Sequence, residues 1–351
     1  MAARAAKPRA TAPPGPRKAA PAKPAPAKPA ARPAAYRSEA LDDLARRIDA
    51  VTLGVAESQP IEALEAPSFR RILVACDGSP GSRHALAWAA LLGQRLAARV
   101  TAVSVGPSQE AVRALRANAL AWQAVGAAFD ESEEEAVRVL REAGRFLADA
   151  GVAHTTELKR GAAAASIVAL ADSEGADLVV LGSHGHGFGD RLNLGSVGSS
   201  VKHHVACSVL VARAAPPPRR LLLATDGSQR SRIAVHAGLD LAKALGAPTA
   251  LAHVLDAGGY GLGAVARRVR GRLSKVAHRD EASVRSGLPV RVASGPPAAE
   301  LRRLAKSEKA DLIVVGSRGL GGLRSLTLGS VSDRLTHRAD QSVLVVKPRV
   351  L

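Results

Sequence analysis

From residue 70 onward the chain alternates short apolar runs with longer segments whose apolar positions recur every three or four residues. RRILVA (70–75) is apolar enough for a buried strand, and it runs on through Cys76 into Asp77, Gly78 and Ser79. The following stretch places Ala85, Trp88, Ala89, Leu92 and Leu96 on one side of a helix. RVTAVSVG predicts a second strand, residues 111–150 one long helix, HTTELKRG an exposed third strand, and AAASIVALADSEG a further helix. ADLVVLG, SVGSSVKHHVAC and CSVLVAR then predict strand four, a helix and strand five, ending near Arg213. Strands that are apolar throughout and alternate with helices imply a mostly parallel sheet covered on both faces, because right-handed crossovers put the helices there.

After the proline-rich joint AAPPPRR the same order begins again. RRLLLATDGS, a helix, PTALAHVLD, VRVASG, ADLIVVG, SVSDRLTHRA and QSVLVVK repeat the first unit in sequence and spacing, which marks an internal duplication. The segment after the second strand is shorter in this copy. It carries Gly258, Gly259, Gly261 and Gly263, which predict a flexible loop before the helix VARRVRGRLSKVAH. The predicted fold class is therefore α/β: two doubly wound, five-stranded parallel-sheet domains in tandem. The expected divisions are a tail at 1–36, a helix and linker at 37–69, domain 1 at 70–213, a linker at 214–218 and domain 2 at 219–351.

Composition changes this picture mainly at the N-terminus. The formal net charge is +18, and residues 1–36 hold Arg4, Lys7, Arg9, Arg17, Lys18, Lys23, Lys28 and Arg32 with no acidic residue. An Ala/Pro/Lys/Arg composition cannot bury enough apolar surface to offset the entropy of ordering, so a disordered basic tail is expected. Its charge suits a solubilising tail, or one that contacts polyanions such as nucleic acid or acidic membrane without sequence preference. Beyond it, Leu41, Leu44, Ile48 and Val51 predict a short amphipathic helix. Only Cys76 and Cys207 occur, too few for a disulfide framework. With no signal core and no apolar run long enough to span a membrane, a cytoplasmic setting is expected.

The candidate chemistry lies in a doubled glycine pattern. GSHGHGFGDRLNLGS (182–196) and GSRGLGGLRSLTLGS (316–330) both read G-S-x-G, nine residues, then G-S, and each follows a buried-looking strand and precedes a helix. A strand that hands its loop to a helix N-terminus favours anions, phosphates above all. Gly182 and Gly185 would permit the turn off strand four, glycine being free to take positive φ. Gly195 and Ser196 would present N–H groups and a hydroxyl to the anion. Gly316, Gly319, Gly329 and Ser330 would do the same in the second copy. Asp77 and Asp226, at the end of strand one, lie at the same predicted sheet edge and suit an amino group or a ribose hydroxyl. They also suit a plain strand-to-helix turn capped by Ser79 or Ser228.

Other motifs do not develop. No G-x-x-x-x-G-K-[ST] loop occurs. Gly185, Gly187 and Gly189 follow the fourth strand of the unit instead of the first, with Leu192 in the last place, so a dinucleotide fingerprint does not fit. His184, His186, His203 and His204 invite a metal, but the second copy reads Arg318, Leu320, Leu335 and Thr336 at the positions taken to match, and no metal site is expected. Cys76, with Thr225 as its counterpart, reads as a buried structural thiol.

With D-G-S after strand one and G-x2-G-x9-G-S after strand four, twice, the chain resembles a tandem universal stress protein from about residue 70 to 347. The intact glycine spacing resembles the family's adenine-nucleotide-binding branch. The resemblance implies the adenine-nucleotide α-hydrolase-like relative of the Rossmann class and a ligand that is ATP or another adenine nucleotide, with Mg as an optional companion. It assigns Asp77 and Asp226 to adenine, Val105 and Val254 to the valine ending strand two, and Gly182, Gly185, Gly195, Ser196, Gly316, Gly319, Gly329 and Ser330 to ribose and phosphate. Val197 and Val331 continue the pattern. Ser332 matches a usual small hydroxyl residue, which Gly198 replaces in the first copy. It also implies pairing through the fifth strands, here an intramolecular pseudo-dimer that would remove two exposed sheet edges; self-association of the whole chain is left open.

By that resemblance the expected function is a stress-response sensor or regulator that holds nucleotide, without catalytic residues. Two other readings stay open at this level: a slow nucleotide-hydrolysing or adenylating enzyme on the same scaffold, and a nucleic-acid-associated protein acting through its basic tail.

Overall fold

In the computed structural model the described residues are 64–184, 194–255, 289–318 and 328–350. The basic tail, the helix expected around residues 41–51, the glycine-interrupted segment with its helix, and Gly185 and Gly319 lie outside them.

The first half runs β1 (Leu64–Glu65), β2 (Arg71–Ala75), α1 (Pro80–Leu96), β3 (Arg99–Gly106), α2 (Gln109–Arg116), α3 (Ala119–Asp149), β4 (His154–Arg160), α4 (Ala163–Ser173), β5 (Leu178–Gly182), α5 (Ser196–His204) and β6 (Ser208–Ala212). The second runs β7 (Leu221–Ala224), α6 (Gln229–Leu245), β8 (Thr249–Leu255), β9 (Val290–Ser294), α7 (Pro297–Ser307), β10 (Leu312–Gly316), α8 (Ser330–Arg338), β11 (Ser342–Val346) and β12 (Arg349–Val350). Among the described residues all strands but β1 and β12 join one ten-stranded sheet in the order β4-β3-β2-β5-β6-β11-β10-β7-β8-β9. Within each half neighbouring strands are parallel. The halves meet where β6 and β11 pair antiparallel, Leu210 opposite Leu344.

Strand order reverses between β2 and β5, and again between β7 and β10. In such sheets the crevice beyond the carboxyl ends of the strands opens at this reversal. The strands hold their place because both faces are covered. Ile72 and Val74 point into a core with Trp88 and Leu92 of α1 and Leu140 and Leu147 of α3, and that core continues into the second half through Leu223 and Leu241. Leu73 faces the other way, toward Ile167 and Leu170 of α4 and Val201 of α5. Leu222, Ile313 and Val345 do the same toward Leu301 and Leu335. Trp88 is almost wholly enclosed, and its indole N–H donates to the Ala214 carbonyl at 2.8 Å, tying α1 to the segment that joins the halves.

Two features differ from the sequence expectation. The helix expected over 111–150 is two helices, broken at Ala117 and Asn118. Asn118 stands at the N-cap place that asparagine favours, its carbonyl accepting the first bond of α3 from Trp122 N–H at 2.9 Å. The Arg116 guanidinium lies 4.7 Å from the centre of the Trp122 ring and closes the corner. The second feature is the antiparallel pair of β1 and β12, Glu65 opposite Arg349, which no local pattern announced.

Candidate functional site

In the first half the sheet edge is built from the turn after β2. Gly78 takes φ 79°, and the Asp77 carboxylate accepts the Ser79 N–H at 3.0 Å, so the D-G-S triplet closes on itself. Ser79 caps α1 by accepting the Ser82 N–H at 3.1 Å, and its hydroxyl donates to the His184 carbonyl at 3.0 Å. That last bond joins the aspartate turn to the start of the glycine loop across 105 residues of chain. The second half repeats the turn. Gly227 takes φ 84°, Asp226 accepts both the N–H (3.0 Å) and the hydroxyl (2.6 Å) of Ser228, and Ser228 caps α6 through Ser231 N–H. Asp77 is exposed and Asp226 partly so; Val105 and Val254 are half-buried near the ends of β3 and β8.

The glycine loops leave and return through matching gates. Ser183 N–H donates to the Ala212 carbonyl at 3.1 Å, and Gly195 N–H to the Ser183 carbonyl at 3.0 Å. In the second half Ser317 N–H reaches Val346 at 3.0 Å, and Gly329 N–H reaches Ser317 at 2.7 Å. Gly195 and Gly329 are the N-caps of α5 and α8, with φ of −59° and −67° and no side chain to close the helix end. The N–H groups of Ser196, Val197 and Gly198, and of Ser330, Val331 and Ser332, are therefore the first-turn donors that an α-helix leaves without an intrahelical acceptor. Ser196, Val197 and Ser330 are exposed at these ends, and Val331 is half-buried.

The structure revises why the glycines are there. Positive φ falls on Gly78 and Gly227 of the D-G-S turns and not on Gly182, Gly195, Gly316 or Gly329. Gly182 is small because the end of β5 abuts the start of α1: a Cβ there would lie 2.5 Å from the Gly81 carbonyl carbon and 2.7 Å from the Ser82 nitrogen. At Gly316 the nearest atom, the Arg230 carbonyl oxygen, is 3.1 Å away. Ser332 is buried, and its hydroxyl lies 2.8 Å from the Gly329 carbonyl and 3.2 Å from that of Ser317, joining the loop's two ends. At the matching Gly198 a Cβ would meet Leu194 Cδ1 at 2.9 Å, so the leucine fills the place of the serine.

Helices α5 and α8 also meet each other across the junction of the halves. Lys202 of α5 is fully buried, its Nζ 2.7 Å from Asp333 Oδ1 and 2.9 Å from Thr336 Oγ1 of α8. His203 Nε2 lies 3.2 Å and His337 Nε2 3.8 Å from the same carboxylate oxygen. Burial opposes the Asp333 charge, but the bond to Lys202 and its charge hold the carboxyl below the usual range. Burial, followed by the Lys202 charge, pushes both imidazoles down. Sequence reading missed this cluster. Its signal was Lys202 beside Val201 on the buried side of α5, where the second copy has Thr336.

The histidines of the two copies also match differently from the sequence expectation. Both helices have nine residues and begin at Ser196 and Ser330, so the counterparts of His203 and His204 are His337 and Arg338, not Leu335 and Thr336. Among the described residues no group of three or more His, Cys, Asp or Glu side chains is arranged to hold a metal ion. Cys76 is buried beneath the edge, and burial followed by the Asp77 charge pushes its thiol up to about 12. A further unforeseen residue is His253, buried, with Nδ1 2.7 Å from the Thr225 carbonyl. A carbonyl only accepts, so Nδ1 carries the proton, and burial holds the ring below the usual histidine range.

Comparison with known proteins accords with this architecture. The sequence profile of the Universal stress protein family matches residues 68–213 and again 218–347. A universal stress protein of Mycolicibacterium smegmatis is 29% identical over 309 residues, 79% of this chain and 97% of that protein. One from Thermus aquaticus, matching a single half, is 38% identical over 138 residues, 37% of this chain and 98% of its own length. The crystal structure of a universal stress protein from Archaeoglobus fulgidus superposes with a TM-score of 0.58 at 22% identity, covering 80% of this chain and 98% of that one, a likeness of fold. With the profile matching both halves of the duplicated α/β sheet, the chain belongs to the universal stress protein family.

Proposed function

We propose that this protein binds an adenine nucleotide, ATP or a close relative, at two sites and serves as a stress-response sensor or regulator instead of an efficient enzyme. One observation carries the reading. In both halves the carboxyl edge of the sheet brings together an aspartate turn (Asp77, Asp226), a valine near a strand end (Val105, Val254) and a helix N-terminus capped by a bare glycine (Gly195, Gly329). A bare glycine cap leaves first-turn N–H groups for an anion, and the helix dipole favours negative charge at the same point. That donor set fits phosphate.

In this reading residues 70–213 and 219–351 are the two binding units, with 214–218 between them. Asp77 and Asp226 hold the adenine or ribose end beside Val105 and Val254. Gly182, Gly185, Gly195, Ser196 and Val197 hold the phosphates in the first unit, and Gly316, Gly319, Gly329, Ser330, Val331 and Ser332 in the second, with Mg2+ as the phosphates' companion. Asp77 and Asp226 each commit a carboxylate oxygen to their own turn, which suits holding more than proton transfer. Two free thiols suit a reducing cytoplasm.

Chromatography of the supernatant after heat denaturation, with calorimetric titration of ATP, tests the reading. Released adenine nucleotide or saturable binding at two sites is expected. A protein that shows neither is not a nucleotide binder.

A further inference from the structure

We infer that Lys202, a residue of the first half, sets the charge at the phosphate end of the second half's site and thereby its preference for polyphosphates. The inference rests on the two-site nucleotide reading above and adds to it a dependence of one site on the other half of the chain.

Asp333 is in the first turn of α8, whose N-terminal N–H groups face the proposed phosphate. A rise of about 1.5 Å per residue puts it only about 5 Å along the axis from Ser330. A carboxylate there suits the bare helix dipole but opposes a second anion. The first site has no such charge, because the matching residue of α5 is Ser199. Lys202 is the counterweight. It is fully buried, and its Nζ bonds both Asp333 and Thr336 from the opposite helix. His203 and His337 also face the carboxylate, but they are held toward the neutral form. The arrangement is one-way: where Lys202 meets Asp333, the symmetry-related position opposite Ser199 is Thr336, which has no charge to contribute.

The test uses the full chain with Asp77→Ala to weaken the first site and set its titration apart from the second, and titrates ATP and adenosine into Lys202→Met, Asp333→Ser and the Lys202→Met/Asp333→Ser pair. Lys202→Met weakens ATP by about fivefold and Asp333→Ser tightens it by about threefold, as expected for one unit charge near a triphosphate at a partly screened surface. Adenosine binding stays level in both. The double variant returns ATP affinity to the starting value. The two effects part company in Asp333→Ser, which melts at a lower temperature because it leaves a buried ammonium unpaired, yet binds ATP more tightly. A purely structural pair would lower both. Asp333→Ser that weakens ATP, or Lys202→Met that leaves it unchanged, overturns the inference while the nucleotide reading stands. Wild-type protein that binds no ATP overturns both.

Discussion

Lys347, the residue after β11 in the second half, donates to the carbonyl of Val205 at the end of α5 in the first half, at 2.5 Å. Its ammonium also bonds the Lys202 carbonyl at 3.1 Å. Arg213, in the matching place after β6, donates to the Thr336 and His337 carbonyls near the end of α8 at 2.7 and 3.0 Å. Each half thus closes the C-terminus of the other's helix, where carbonyls lack intrahelical partners and a cation is favoured. Replacing Lys347 by Met leaves those carbonyls enclosed without a donor and is expected to lower stability by about 1–3 kcal/mol. Urea unfolding checks it, with Lys159→Met, whose side chain is about one-third exposed, as the comparison.

Alkaline pH gives a signed test of the same residue. Burial, its largest cause, pushes Lys347 from 10.5 down to about 8. Between these values the unfolded chain keeps the proton and the fold releases it, so stability rises with pH. The cysteines act oppositely: burial pushes Cys76 from 9.0 to about 12 and Cys207 from 9.0 to about 11, so the unfolded chain loses its thiol protons first and stability falls above pH 9. The urea midpoint is expected to climb from pH 8 to 9 and then turn over. Lys347→Met abolishes the climb and keeps the fall; a climb that survives the substitution assigns it to another group.

Gly182→Ala and Gly316→Ala separate close packing from conformational freedom. The new methyl at 182 meets backbone atoms at 2.5 and 2.7 Å and is expected to cost about 1–3 kcal/mol. At 316 the nearest atom is at 3.1 Å, and the expected cost is below about 1 kcal/mol. Equal thermal shifts in the two variants contradict the packing argument.

Asp77→Ala and Asp226→Ala each remove one proposed adenine contact together with its turn. Each is expected to weaken ATP by about tenfold at its own site, a lost hydrogen bond to a charged group being worth about 1.5 kcal/mol or more. Calorimetry should then resolve the weakened site from the intact one. A hydrolysis rate that disappears in the double variant would move the protein to the enzyme class.

Much of the fold was legible because its signals are local. The unbroken apolar run in RRILVA reports a strand covered on both faces, the three-to-four spacing of the Ala85-to-Leu96 stretch reports which side of a helix is buried, and the duplication checks these assignments against a second copy. The D-G-S turns were equally readable, since each needs a particular residue within a few positions. The break at Asn118 was not, because one polar residue in a long helical pattern does not show whether the chain turns there until Trp122 and Arg116 close the corner.

What the sequence alone determined was the repeated α/β order, the expectation that Asp77 and Asp226 each share the carboxyl sheet edge with the glycine loop of their own half, and the residue types available to an anion there. Tertiary structure decided what those residues do for one another. Gly182 is small because α1 presses on it, Ser332 ties a loop shut, and Lys202 meets Asp333 from the other half of the chain. These are contacts between residues 101, 15 and 131 positions apart, and distance along the chain carries no record of distance in space until the sheet has closed.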